Sequence, residues 1–431
     1  MDLRLPSLAL MVLLAQNFQS HGADPVPGAE KKESAANWNQ WRGPKRDSHI
    51  GSGAPWPNTL DEAHLKRLWR VETGPGYSGP ICDNDRVYTT ATIDRAKEVV
   101  AAFDRKTGKL VWKSSWDGAM TVPFFAKENG DWIRSTPTLD GDRLYVAGMR
   151  DVLVCLEAKT GKELWRVDFT KRHNTPLPAF GFVCSPLVDG DALYVQAGAA
   201  VVKLDKLTGE EKWRALNDAG GMWGSAFSSP ILADLSGKKV LLVQSRTHLA
   251  GINPEKGEVL WKKEIPAFRG MNILTPLVLP TGIFTSSYGG KSFLLKEEGA
   301  DLKEVWTNKT EAYMSSPVVI GGHIYLHLRN QRFVCIDVAT GDTKWTTTQS
   351  FGKYWSMIAQ GDKILALDQR GVLRLIKANP AKYELISERK VSDQETWGHL
   401  GLSGDTIFIR DLNGLSAWEW SLATRPAPPA E

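Results

Sequence analysis

Residues 158–165 read AKTGKELW, and the same phrase returns along the chain with its Thr, Gly and Trp in step. DRKTGKLVW ends at Trp112, DKLTGEEKW at Trp213, NPEKGEVLW at Trp261 and DVATGDTKW at Trp345, with a worn copy, GADLKEVW, ending at Trp306. Successive tryptophans of this set are 39 to 53 residues apart, a spacing at which self-similarity marks solenoids and propellers.

One full unit, residues 135–165, reads STPTLDGDRLYVAGMRDVLVCLEAKTGKELW. Short runs rich in Val, Leu and Tyr, punctuated by Asp-Gly and Thr-Gly, predict antiparallel strands joined by hairpins, four to a unit. Unit starts fall at Gly79-Pro80, Thr136-Pro137, Ser185-Pro186, Ser229-Pro230, Thr275-Pro276 and Ser316-Pro317, and without proline at Ser356 and Leu400. Eight four-stranded units predict an all-β fold, an eight-bladed β-propeller. The last unit runs out at residues 418–422 without a fourth strand, whereas residues 65–71, LKRLWRV, form a fourth strand with no unit before it. Joining the two closes the ring and removes both exposed edges.

The propeller is thus expected over residues 65–422. Before it, Arg4 and the apolar run 8–15 read as an export signal ending near Ala23, which places the protein in the periplasm or outside the cell. The run is too short to span a bilayer, and no cysteine in or just after it offers a lipid attachment site. Residues 24–64 comprise a polar lead-in and a Trp-rich clasp, NWNQWRGP onward, expected to lie on the folded body through Trp38, Trp41 and Trp56. Residues 423–431 are expected to be a disordered tail.

The composition, 42% apolar and 24% charged with 17 Trp in 431 residues, suits a soluble globular chain, and a net charge of +4 without a basic stripe gives no footprint for nucleic acid. The four cysteines, Cys82, Cys155, Cys184 and Cys335, have no metal-type spacing. Free buried thiols are expected, with a Cys155–Cys184 bridge left open. His323 and His327 would lie about 13 Å apart on a strand, too far to share an ion. The Asp-Gly and Asp-x-Asp sites answer the needs of hairpin turns and lack the Glu of a calcium loop.

The A/D-x-x-T-G-x-x-x-W phrase in a meander of this length resembles the tryptophan-docking motif of the pyrroloquinoline quinone (PQQ) repeat family, the eight-bladed propellers of quinoprotein alcohol dehydrogenases and their non-enzymatic relatives. The NWNQWRGP opening is similar to that of bacterial secreted members. In its enzymes the resemblance implies PQQ near the axis, against a Trp and a disulfide of adjacent cysteines, with calcium held by Glu, Asn and Asp. This chain has no adjacent cysteine pair, so no catalytic residue carries over.

Segments preceding each inner strand converge on one end of the axis and contain Tyr77, Phe180, Phe182, Phe227, Tyr313 and Tyr354 together with six candidate ligand-binding residues, Arg134, Trp223, Asn272, Trp355, Trp397 and His399. Aromatic walls with few polar groups describe a pocket for a small molecule or for part of a protein partner, and Arg134 suits a carboxylate such as those of PQQ. Two functions follow. One is an exported, monomeric, non-catalytic binding or scaffold module, similar in kind to the propeller subunit of the outer-membrane protein assembly machinery; the other is a PQQ-dependent oxidoreductase with an atypical axial site.

Overall fold

The computed structural model describes residues 38–51, 55–218 and 224–421. The export signal, the polar lead-in before Trp38, Trp223 and the tail 423–431 lie outside these residues. Eight antiparallel sheets of four strands each form the ring. Blade 2 shows the plan: Thr138–Asp140 is innermost, followed outward by Arg143–Gly148, Val152–Glu157 and Glu163–Asp168. The two middle strands are buried along nearly their whole length because neighbouring blades cover both faces, which is why their sequences read as unbroken apolar runs. Outer strands are far more exposed, and their exposed positions mix charged residues such as Glu163 and Arg166 with single aliphatic ones such as Leu164.

Blade 8 is built from both ends of the chain. Leu65–Glu72 pairs with Gly414–Trp420, and the sheet continues through Thr406–Arg410 to Gly401–Ser403. The predicted ring closure is therefore present.

A β-bulge interrupts the outermost pairing of every blade at the same place, as between Cys155 and Leu156 of blade 2. The bulge re-aims the next side chain, which in seven blades is the repeated Trp. That indole crosses to the following blade. Trp112 Nε1 donates to the Ala158 carbonyl at 2.9 Å, and a Cβ on Gly161 of the same turn would sit 2.4 Å from the ring. Trp165 with Gly209, Trp213 with Gly257 and Trp306 with Gly341 repeat the contact. The turn residue must be Gly for two reasons: its φ is positive, +75° at Gly161, and the indole leaves no room for a side chain. In blade 5, where the turn is worn, Trp261 donates instead to the Glu297 carboxylate.

Blade 7 has Ser387 at the Trp position. There the N-terminal strap supplies what is missing. Leu60 N–H donates to Ser387 Oγ at 3.0 Å, and Trp56 stacks on Trp420 of blade 8 with centroids 5.1 Å apart. Large hydrophobic clusters lie between neighbouring blades, for instance between blades 2 and 3, so the core is a ring of seams. Cys155 and Cys184 share that cluster but all four thiols are free and buried, so the bridge left open is not made. Cys184 Sγ accepts from Gln196 N–H at 3.3 Å. Among the described residues no helix is long and apolar enough to cross a membrane.

Candidate functional site

The Trp-rich segment does more than clasp the outside of the ring. Residues 38–50 run through the centre and bond to the inner edges of most blades. Cys82 N–H of blade 1 donates to the Trp38 carbonyl at 2.9 Å, and Leu139 N–H of blade 2 donates to the Asn39 carbonyl at 2.8 Å. In blade 7, Ile50 N–H donates to Ala359 O while Ala359 N–H donates to Ser48 O, at 2.9 and 2.8 Å.

Two arginines complete the cross-links. The Arg46 guanidinium donates to the carbonyls of Ser185 and Pro186 in blade 3 and to Pro230 O in blade 4, at 2.8 Å for the last. Arg42 donates to Pro317 O in blade 6 and to Ser48 Oγ at 2.8 Å. The inner strands of blades 3, 4 and 6 follow Ser185-Pro186, Ser229-Pro230 and Ser316-Pro317, and proline has no N–H, so the carbonyls there take donors from elsewhere. The guanidinium fork, with five N–H groups, serves several at once. Arg42 and Arg46 are fully or almost fully buried, and burial lowers them to about 10 and about 9, so both stay charged at neutral pH.

Backbone strain marks the same segment. Arg42, Arg46 and Ser48 have φ of +63°, +56° and +62°, a region that costs non-glycine residues about 1 kcal/mol or more each. Gly43, at φ +80°, lies where a Cβ would be 2.7 Å from the Trp38 ring. The bonds to the blades hold these conformations in place.

At one end of the plug is a pocket with about 180 Å³ of room for solvent, lined by Trp41, Tyr77, Arg134, Trp355, Trp397 and His399 among others. Its main wall is a triple stack: Trp397 lies between Tyr77 and Tyr354, at centroid distances of 4.0 and 3.5 Å. The Arg134 guanidinium sits 5.5 Å from the Tyr77 centroid and donates through Nη2 to Gly130 O at 2.7 Å, while its buried Nε has no partner. Burial lowers the Arg134 guanidinium and raises the phenols of Tyr77 and Tyr354. Hydroxyls at the starts of inner strands, including Thr136, Ser185, Ser229 and Ser356, line the pocket.

His399 is lowered to about 3, first by burial and then by Arg42. The ring is therefore neutral. With Nδ1 donating to Leu400 O at 3.1 Å, Nε2 accepts from Ser48 Oγ at 3.4 Å, which itself accepts from Arg42. Plug and pocket are thus joined through one hydrogen-bond chain.

Of the six residues singled out from the sequence, Arg134, Trp355, Trp397 and His399 line this pocket. Asn272 does not. It is buried, and its Nδ2 donates to the carbonyls of Ser245, Arg246 and Ile265 at 3.1 to 3.2 Å, tying down the connection from blade 4 to blade 5. Ile273 takes the lining place. Trp223 lies outside the described residues. Sequence reasoning missed Arg42, Arg46 and Ser48: the arginines bond to backbone carbonyls of the blades, which leave no pattern in a sequence, and Ser48 acts through Arg42 and His399; the available signal was the density of Trp, Arg and Gly in WNQWRGPKR.

Among the described residues the lining contains no Asp, Glu or Asn and no cysteine. Aromatic faces and one guanidinium suit an anionic ring system such as PQQ, but nothing on the wall matches the oxygen ligand set that calcium requires.

A family model described as outer membrane protein assembly factor BamB matches residues 96–347, from blade 1 into blade 6. BamB of Moranella endobia (strain PCIT) is 22% identical over 384 residues, 84% of this chain and 91% of that one. Among solved structures, BamB from Moraxella catarrhalis superposes with a TM-score of 0.61 at 13% identity, covering 84% of this chain and 99% of that one. The quinohemoprotein alcohol dehydrogenase from Comamonas testosteroni superposes with a TM-score of 0.63 at 13% identity, covering 91% and 82%. At such identity these two structures speak for the fold alone.

Proposed function

The chain belongs to the family described as outer membrane protein assembly factor BamB, and from that premise we propose that it is an exported, non-catalytic binding or scaffold module acting in the periplasm or outside the cell. The observation that carries this reading is the use of the axis. The resemblance to the PQQ repeat family implies a cofactor near the axis in its enzymes; here the chain's own residues 38–50 occupy the axis, with two arginines committed to backbone carbonyls. The binding face is then the pocketed end of the ring, where the inter-blade connections converge and a protein partner meets a rigid platform. On this reading the export signal is cleaved near Ala23 and the mature protein is a monomer.

One observation favours a second reading, a quinoprotein-type oxidoreductase: the unpartnered Nε of Arg134 beside the Tyr77–Trp397–Tyr354 stack. The wall supplies ring faces and a cation for PQQ, but no ligand set for calcium, and no reaction step is assigned.

Titration of the purified protein with PQQ, with and without calcium, separates the two. Trp fluorescence reports binding, and dye-linked oxidation of alcohols or sugars reports turnover. The scaffold reading predicts no turnover under either condition; saturable binding with turnover that Arg134→Ala abolishes would overturn it.

A further inference from the structure

The three phenylalanines that are exposed among the described residues, Phe124 (82%), Phe125 (41%) and Phe268 (50%), all belong to one place. Phe124 and Phe125 open the 3-10 turn Phe124–Asn129 in the connection from blade 1 to blade 2, and Phe268 opens the turn Phe268–Gly270 between blades 4 and 5. Arg269 joins them, its guanidinium carbon 5.3 Å from the Phe125 centroid and 4.9 Å from that of Phe268. Phe268 meets Tyr288 edge-on at 5.6 Å, and Arg329 lies 4.7 Å over Tyr288. The result is a continuous ridge of alternating aromatic rings and guanidinium groups along the pocketed face.

Two features separate this ridge from ordinary surface. Among the described residues the other exposed large hydrophobics are all aliphatic, mainly Leu and Val on outer strands, where single apolar positions are unremarkable. And the connection carrying Phe124 is rooted, with Val122 and Ala126 buried in the seam between blades 1 and 2, so its phenylalanines are presented from a fixed base. Arg and aromatic residues on a rigid frame form the composition in which binding hot spots concentrate.

We propose that this ridge docks a protein segment that pairs apolar side chains with carboxylates, the rings of Phe124 and Phe268 taking the apolar contacts and Arg269 facing the acidic groups. Charge complementarity selects that partner. Arg329 and Glu311 neutralise each other at 3.1 Å, as do Lys353 and Glu128 at 3.4 Å, so the charge that the ridge adds to its rings is that of Arg269 and of Lys127, beside Phe124 and Phe125 in the same turn. The proposal rests on the scaffold reading and moves the partner's main contact from the pocket to the ridge.

The test uses the full chain and two fluorescein-labelled peptides, Gly-Asp-Leu-Phe-Glu-Leu-Phe-Asp-Gly and its counterpart with Lys at each acidic position, followed by anisotropy. Saturable binding of the acidic peptide is expected, with the Lys counterpart about tenfold weaker or more, the difference that 1.4 kcal/mol represents. Phe124→Ser with Phe268→Ser should weaken the acidic peptide by about tenfold at an unchanged thermal midpoint, and Arg269→Glu should invert the preference. Binding that survives both changes but is lost in Arg134→Met overturns the ridge while leaving the scaffold reading intact. Equal binding of the two peptides, or none by either, also overturns it, as does concentration-dependent dimerisation abolished by the same Phe changes, which would make a second copy the occupant.

Discussion

Trp69 packs its indole over Gly108. The ring Nε1 donates to the Arg105 carbonyl at 3.0 Å, and a Cβ on Gly108 would lie 2.7 Å from the ring. Trp69 sits on the first strand of the chain to enter the ring and Gly108 in blade 1, so this contact is the seam that closes the circle. It obeys the same rule as the interior seams.

Gly108→Ala should therefore destabilise the protein twice over. The backbone, at φ +71°, costs an L-residue about 1–2 kcal/mol, and the indole must also give way. Gly141 is a control for the first effect, since its φ is +57° and nothing lies within 4 Å of an added Cβ. Urea unfolding of both variants measures the difference: Gly108→Ala should lose on the order of 1 kcal/mol more than Gly141→Ala. Equal losses would mean that the Trp–Gly contact is not tight.

The fold was legible because seam packing repeats. Each Thr-Gly-x-x-x-Trp phrase records one Gly that must admit an indole and one Trp that must reach it, and the orphan LKRLWRV showed how the ring closes. The plug was not legible because nothing in it repeats. Arg46 bonds to Pro186 and Pro230, and Arg42 to Pro317, through carbonyls that every residue type carries. The pocket fell between these cases. Arg134, Trp355, Trp397 and His399 sit at or just ahead of an inner strand and line the pocket, which is why that position in each unit found them. Asn272 holds the corresponding place, but its amide is claimed by the carbonyls of Ser245, Arg246 and Ile265.

Glu98 gives the protein a pH dependence of definite sign. Its carboxylate is buried in the seam between blades 1 and 2, accepting from Met149 N–H at 2.6 Å and Trp116 Nε1 at 2.7 Å. Burial raises it from 4.5 to about 7. The folded chain then holds this proton to higher pH than the unfolded chain, so the stability it contributes is full below about pH 4.5 and is lost as pH rises toward 7. Asp151, raised by burial to about 6, acts in the same direction. Thermal midpoints measured across this window should fall less steeply in Glu98→Gln than in the parent; an unchanged slope would show that Glu98 ionises normally in the fold.

The most direct measurement of the central claim, that the chain fills its own axis, is amide hydrogen exchange at Ile50, Cys82, Leu139 and Ala359. Each of these N–H groups is a donor in a bond between plug and blade. If the plug is part of the folded core, all four exchange only through global unfolding, with the same free energy as the middle strands of the blades, and Arg46→Met lowers that value for all of them together. Exchange at loop-like rates at these four positions, with the middle strands still protected, would contradict the account.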